Sequence, residues 1–294
     1  MGIHFYKLHC GGNSFVLVDT TEKSNNNIIQ PENFARASIK LCSRKFGIGA
    51  RGAIFLLKDN LVRIFDGKGN EDFKSWDGWL CTSRYLFDSG KISGKNIIIK
   101  TPVYNELIQI ISSRAFSFDL GTPFQMESGK VFNENDGQVL TTLNTESGTI
   151  SAAGIHLGED AFCSFASNNI GENFEDFRTK VISSFPNRKV NAVILKPITR
   201  NTLLLRTSRA GLSAACASAS AALITSVLAG SSDKEGLAVI NDSGFSNEAW
   251  FFSGEKKSTG QEFSVTWKDD NNVIIAGSGE YIFEGIFDLP KFKD

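Results

Sequence analysis

Apolar and polar residues alternate from residue 3 to 8, and apolar residues dominate again from 15 to 18, with Cys10-Gly11-Gly12-Asn13 between them. A two-residue period broken by a Gly-rich turn predicts a β-hairpin at the start of the chain. Residues 19–30 are polar and Asn-rich and predict a loop. Over 32–45 the spacing changes: Phe34, Ala37, Ile39 and Leu41 recur roughly as on one face of a helix, and Pro31 stands at the favoured first-turn position. Residues 47–51 predict a turn, and 53–57 with 61–65 a second hairpin. The second half repeats the order, with strands near 150–153 and 161–165, a helix over 173–183, and strands at 190–195 and 202–207. The tail, 263–267, 272–276 and 281–287, predicts a meander with Asp269-Asp270-Asn271 in its first turn. No low-complexity linker separates the halves, and the boundary is expected near 116–122. Strand–helix–strand–strand–helix–strand, twice over, predicts an α+β chain of two similar units.

One pattern occurs in both halves. Ser75-Trp76-Asp77-Gly78 opens a helical run through Cys81 to Ser89-Gly90, followed by the β-branched segment 96–100. Cys216-Ala217-Ser218-Ala219-Ser220 opens another through Leu228 to Gly230, followed by 237–240. Each copy places a hydroxyl or a thiol at a predicted helix start, where unpaired N–H groups and the macrodipole stabilise negative charge. A cysteine there is more readily a thiolate. A serine hydroxyl ionises far less readily than a thiol, whose pKa is about 8.5, and no histidine is placed by motif to activate it. Ser75 is therefore expected to donate a proton or a hydrogen bond rather than to act as a base. Plainer roles stand beside these: Ser75 as an N-cap with Gly78 in the first turn, Cys216 as a buried helix cysteine, Asp66 and Asp77 as turn and capping residues, and Asn13 as a turn residue.

Composition narrows the function classes. At 294 residues the chain is long enough for two cores, and its net charge of −1 gives no footing for nucleic acid or an anionic membrane. The longest apolar stretch, 214–229, is interrupted by hydroxyl residues and falls short of the roughly 20 residues of a membrane span. The N-terminus lacks a signal peptide's apolar core and suits a strand beginning at residue 2. Cys10, Cys42, Cys81, Cys163 and Cys216 are widely spread and never in CxxC spacing. This argues against a disulfide framework or a zinc site and predicts a reducing cytoplasm. Cys10, Cys42, Cys81 and Cys163 are assigned to packing. With three histidines, His4, His9 and His156, a His-based triad or a three-His metal site is not expected.

Four motifs, in register over essentially the whole chain, carry a resemblance. Lys7-Leu8-His9-Cys10-Gly11-Gly12-Asn13-Ser14-Phe15 is similar to K-M-H-G-x-G-N-D-F, the opening signature of the diaminopimelate epimerases. Leu41-Cys42-Ser43-Arg44-Lys45-Phe46-Gly47-Ile48-Gly49-Ala50 resembles C-D-R-x-F-G-I-G-A. Phe185-Pro186-Asn187-Arg188, with Asn191 after it, is similar to F-P-x-R-x-N, with one extra residue. Ala276-Gly277-Ser278-Gly279, ending in Phe283-Glu284-Gly285, resembles T-G-P-A…F-x-G. The resemblance implies two pseudo-symmetric domains, each a mostly antiparallel sheet or barrel wrapped around a central helix, with the active site in the cleft between them. The first would comprise about 1–118 plus a returning strand at about 280–294, and the second about 119–279. It also implies an enzyme independent of pyridoxal phosphate and of metals, in which one thiolate removes the α-proton of an amino acid and an opposing thiol delivers another.

Carried over residue by residue, the family's second catalytic cysteine falls on Cys216, followed by Ala217 and Ser218. Its first falls on Ser75, with Trp76 in place of glycine, Asp77 in place of a substrate-binding Asn, and Gly78 after it. Asn13 and Asn191 match substrate contacts, and Asp66 stands where the family has a third Asn. The Glu-Arg pair that holds diaminopimelate's distal amino-acid head is replaced by Thr207 and Ser208, with Arg209 one position late, and the G-N-P-H strand end reads Gly158-Glu159-Asp160-Ala161. The implied function is a cofactor-independent amino-acid epimerase or racemase with a substrate other than diaminopimelate, with Cys216 as base and Ser75 on the opposite face. Two alternatives stay open: a one-base lyase acting on a hydroxylated amino acid, and a non-catalytic binding or scaffold homologue. The expected partners are a small-molecule amino acid and possible pairing as a homodimer.

Overall fold

The computed structural model describes residues 2–25, 28–126, 128–132, 141–145, 148–166, 170, 174–241 and 260–289. In chain order the first elements are β1 (Gly2–Cys10), β2 (Asn13–Asp19), a 3-10 turn at Pro31–Asn33, α1 (Phe34–Cys42), β3 (Gly52–Leu56) and β4 (Val62–Asp66). They are followed by α2 (Trp76–Asp88), β5 (Asn96–Lys100), β6 (Asn105–Ser112), β7 (Ala115–Gly121) and β8 (Phe124–Gln125). Next come β9 (Thr141–Thr145), β10 (Gly148–Leu157), β11 (Glu159–Phe165), α3 (Phe174–Ser184), β12 (Val190–Thr199) and β13 (Thr202–Thr207). The chain closes with α4 (Ala214–Leu228), β14 (Glu235–Ile240), β15 (Gln261–Trp267), β16 (Val273–Gly277) and β17 (Glu280–Asp288). Two compact units result: Met1–Phe118 with Gly277–Asp294, and Asp119–Ala276.

The first unit is built on a five-stranded sheet in the order β17-β1-β2-β3-β4. Its pairs are antiparallel except β2 with β3. Side chains of a strand alternate between faces, and here both faces are covered. Val16, Val18, Ala53, Phe55 and Phe65 join Phe34, Ala37 and Leu41 of α1 in one core, where Phe34 stacks on Phe55 at 4.1 Å between ring centres. The alternate residues Phe15, Leu17, Ile54 and Ile64 are equally buried and belong to the α2 side, where Gly78 lies against Ile64. Burial on both faces explains why β3 reads as an unbroken apolar run.

The second unit's strands run in the order β16-β15-β14-β13-β12-β11-β10-β8, with β9 paired to β10. The pairs β11–β12 and β13–β14 are parallel. One face packs on α3 through Phe174, Phe177 and Val181, which meet Phe162, Ala192, Ile194, Leu204 and Val239. The other faces α4, whose residues 214–226 are all buried. A helix enclosed on every side has no polar stripe, and its small side chains let the strands approach closely. Two of its hydroxyls are satisfied locally: Thr225 donates to the Ala221 carbonyl at 2.8 Å, and Ser226 pairs with Ser232 at 2.6 Å.

The division between the two units falls between Phe118 and Asp119, inside β7 and within the residues 116–122 read as a boundary. One expectation is corrected. The helix expected over 32–45 ends at Cys42, because the 47–49 backbone folds back onto it. Gly47 N–H donates to the Ser43 carbonyl at 3.0 Å, and Ile48 and Gly49 N–H to that of Leu41 at 2.9 and 3.1 Å. No helix among the described residues is long and apolar enough to cross a membrane.

Candidate functional site

In the first unit the β1–β2 hairpin and the start of α2 form one cluster. Gly11 and Gly12 both take positive φ, 55° and 79°, as a two-residue type I′ turn requires. This turn makes Cys10 and Asn13 direct partners across the hairpin, and both are fully buried. Asn13 Nδ2 donates to Asp77 Oδ2 at 2.9 Å, tying the hairpin end to the first turn of α2. Ser75 is the N-cap of that helix, its Oγ accepting from Gly78 N–H at 3.3 Å. A Cβ on Gly78 would stand 2.7 Å from both Ile64 Cδ1 and Ser75 Oγ, so this position is filled by close packing. Trp76 is wholly buried, with the Lys74 ammonium 5.3 Å from its ring centre. Ser75, Trp76, Asp77, Gly78 and Asn13 are thus brought together.

Asp66 ends β4 of the same unit. Its Oδ1 accepts from the Lys68 and Asn70 N–H groups, both at 2.9 Å, closing the turn after β4, and its carbonyl accepts from Ser38 of α1 at 3.3 Å. This is the turn role that the sequence offered as its plainer reading.

In the second unit the loop between β13 and α4 is held from β11 and β12. Asn191, buried on β12, accepts from Ala210 N–H at 2.6 Å and donates to Glu159 Oε2 at 3.1 Å and to the Asp160 carbonyl at 3.2 Å. Glu159 Oε1 accepts from the N–H of Ser213, the N-cap of α4, at 2.7 Å. A Cβ on Gly211 would lie 2.0 Å from that same oxygen, so the glycine makes room for the carboxylate. Arg209 adopts φ 52° in this loop, a left-handed conformation uncommon outside glycine. Cys216 is the third residue of α4, fully buried in its first turn, followed by buried Ala217 and Ser218. Thr207 and Ser218 share a hydrogen bond of 2.7 Å. Ser208 Oγ accepts from Ala192 N–H at 2.9 Å. Both hydroxyls that replace the family's Glu-Arg pair therefore make bonds within the scaffold.

Among the other cysteines, burial pushes the Cys42 and Cys163 thiols up to about 12. Cys81 is driven well above the ordinary thiol range by burial and then by Cys10 and Asp77. A Cβ on Gly279 would meet the Cys81 backbone at 2.5 Å, which explains the Ser278-Gly279 approach to α2. Sequence reasoning left two residues of these clusters out of its site set. Glu159 was visible only as an acid in place of an amide. Cys10 was visible as a thiol in the position where the K-M-H-G-x-G-N signature has glycine.

Against known proteins, no family model matches the chain. Diaminopimelate epimerase of Rippkaea orientalis is 26% identical, with 98% of this chain and all of that one covered. The enzyme of Pelotomaculum thermopropionicum is 25% identical over 96% and 98%. Over nearly its whole length this chain is similar to the diaminopimelate epimerases. Solved structures agree on the fold of this epimerase-like chain. A PhzF-family phenazine biosynthesis protein from Enterococcus faecalis superposes with a TM-score of 0.62 at 13% identity, over 98% of this chain and all of that one. A hydroxyproline epimerase from Agrobacterium vitis superposes with a TM-score of 0.61 at 12% identity, over 97% and 92%.

Proposed function

We propose that this isomerase-type enzyme moves the α-proton of an amino acid other than diaminopimelate, with Cys216 as the base. The observation that carries the reading is the position of Cys216, buried in the first turn of the enclosed helix α4. The helix start favours the thiolate there against the burial that opposes it, and burial keeps competing water away from it. The thiolate takes the proton, the electron pair stays on the α-carbon and spreads into the adjoining carboxyl group, and the first unit's Ser75 cluster returns a proton to the other face. Asn13, Trp76, Asp77, Gly78, Asn191, Ala217 and Ser218 are the proposed surroundings of the substrate, and the reaction calls on no metal or pyridoxal phosphate.

The altered substrate follows from what replaces the Glu-Arg pair. Thr207 and Ser208 bond to Ser218 and to the Ala192 backbone, and a distal amino-acid head keeps neither of its charged partners there. A second reading is a one-base lyase, in which Cys216 removes the α-proton and Ser75, whose Oγ accepts the capping bond and keeps its own proton, assists departure of the β-hydroxyl of a hydroxylated amino acid. Chiral chromatography of D- and L-amino acids after incubation with the enzyme tests the proposal. Inversion of at least one amino acid, absent in Cys216→Ala, is the expected result. Elimination products without inversion favour the one-base reading, and no reaction at all contradicts both.

A further inference from the structure

Two acids stand side by side at the start of β11, and consecutive strand residues point to opposite faces. Glu159 reaches the α4 side, where it accepts from the Ser213 N–H at 2.7 Å. Asp160 shares its face with Phe162, which packs against α3. There it meets two side chains outside the proposed substrate surroundings. The turn at Gly158, with φ 68°, makes His156 and Asp160 partners across the β10–β11 hairpin. Asp160 is only 9% exposed. Its Oδ1 pairs with His156 Nδ1 at 2.8 Å, and its Oδ2 accepts from Arg188 Nε at 2.9 Å and from Nη2 at 2.6 Å. Arg188 follows α3, and its N–H donates to the Phe185 carbonyl at 3.1 Å. The guanidinium thus ties the segment entering β12 to the start of β11.

Those two strand starts carry the grip on the loop before α4. They run parallel, with Asp160 opposite Val190 and Ala161 opposite Asn191. Asn191 Nδ2 donates to the Asp160 carbonyl at 3.2 Å and to Glu159 Oε2 at 3.1 Å, and its Oδ1 accepts from Ala210 N–H at 2.6 Å. Gly211 leaves no space for a Cβ beside Glu159. Residues 210, 211 and 213 therefore rest on Asn191 and Glu159, and Cys216 stands in the helix turn that begins at Ser213. We propose that Arg188 is a positioning residue for Cys216, acting through Asp160 on this grip. The proposal rests on reading Cys216 as the base at an α-carbon. The Arg188 side chain is 45% exposed, and an ion pair so open to water adds little stability. Its effect is on geometry. A catalytic group has to keep its place within about 0.5 Å, and a misplacement of about 1 Å costs roughly a hundredfold in rate. Without Arg188 the Asp160 carboxylate keeps His156 as its one described side-chain partner, and the start of β11 loses its tie to β12 on the α3 side. A base displaced in this way lowers kcat and leaves KM in place.

The test follows α-deuterium exchange of a panel of D- and L-amino acids in D2O, with kcat and KM determined separately and thermal melting recorded. The proteins are the wild-type chain, Arg188→Ala, Arg188→Lys, Asp160→Asn, the double variant Arg188→Ala with Asp160→Asn, and the control Arg200→Ala. The control breaks a half-exposed pair with Asp233 beyond the other end of β12. Arg188→Ala is expected to lower kcat about tenfold, with KM within about twofold and melting close to that of Arg200→Ala. Arg188→Lys keeps a charge on Asp160 and should restore kcat to within about threefold of wild type. The double variant should lose no more than Asp160→Asn does, because both residues act through one carboxylate. The proposal is overturned if kcat of Arg188→Ala stays within about twofold of Arg200→Ala, or if the loss is carried by KM. Losses that multiply in the double variant, no recovery with lysine, or a lowered melting point with unchanged kcat overturn it as well. Exchange in wild type that is indifferent to Arg188 removes this proposal alone. Absence of exchange in wild type removes the reading of Cys216, and this proposal with it.

Discussion

At the scale of single residues, the two clusters depend on glycines that leave room for specific atoms. Gly78→Ala would bring a methyl within 2.7 Å of Ile64 Cδ1 and Ser75 Oγ. An overpacked site of this kind costs about 1–3 kcal/mol, and thermal melting should show the loss. Ser75→Ala removes a cap and is expected to cost about 1 kcal/mol. Gly211→Ala differs because its 2.0 Å contact is with the flexible end of Glu159. The carboxylate can swing away, giving up its bond to Ser213 N–H for about 1 kcal/mol. Steady-state kinetics should therefore register this change more strongly than melting does. The motifs led directly to Asn13, Ser75, Asp77, Asn191 and Cys216 as positions of interest. They could not give the partners, because Asn13 with Asp77 and Asn191 with Glu159 are joined by hydrogen bonds across dozens of residues. Asp66 shows the opposite difficulty: its alignment suggests a ligand contact, while its local turn geometry already accounts for it.

Among the elements, α2 is secured at both ends. Its start meets the hairpin through Asn13, and its last turns meet the loop after β2. Tyr85 donates to Asp19 Oδ2 at 2.7 Å and to Glu22 Oε1 at 3.0 Å, Tyr6 donates to Glu22 at 2.8 Å, and Lys91 pairs with Asp19. Burial alone would raise Asp19, but hydrogen bonds from Lys91, Thr21 and Tyr85 outweigh it and hold the carboxyl below its ordinary 3.8. Glu22 is likewise held below 4.5 against burial by His4, Tyr6 and Tyr85. Depressed carboxyls contribute stability that is complete above their unfolded values and lost as pH falls through the folded ones. Tyr85 is pushed up by burial and then by Asp19, so its contribution is complete below about 10 and declines above it. Urea midpoints should therefore fall below pH 4.5 and again above pH 10, and Tyr85→Phe should flatten both limbs. Most elements were legible because their apolar period was clean, as in β1 and β15. β6 was missed because consecutive apolar residues, Leu107-Ile108 and Ile110-Ile111, hide the period; of these four only Ile108 is buried. β7 does alternate, at Phe116, Phe118 and Leu120, but its stretch was read as the boundary between the halves. The α4 segment, free of charged residues, was legible as a helix by length, but its Ala and Ser content is explained only by enclosure on every side.

For the molecule as a whole, the α+β build of two similar units was legible from the repeated order of elements and from motifs spaced along the entire chain. Relatives at about a quarter identity over nearly the full length and structures with TM-scores near 0.6 agree with it. Chemistry was less legible, because a scaffold of this kind serves more than one reaction and the charged pair that would name the substrate is replaced here. The central claim is that Cys216 removes an α-proton. The most direct measurement is proton NMR of amino acids incubated in D2O with the wild-type chain and with Cys216→Ala. The account predicts loss of an α-proton signal with wild type and a rate lowered by about a hundredfold or more in the variant. Equal exchange by the two proteins, or none by either, would contradict it.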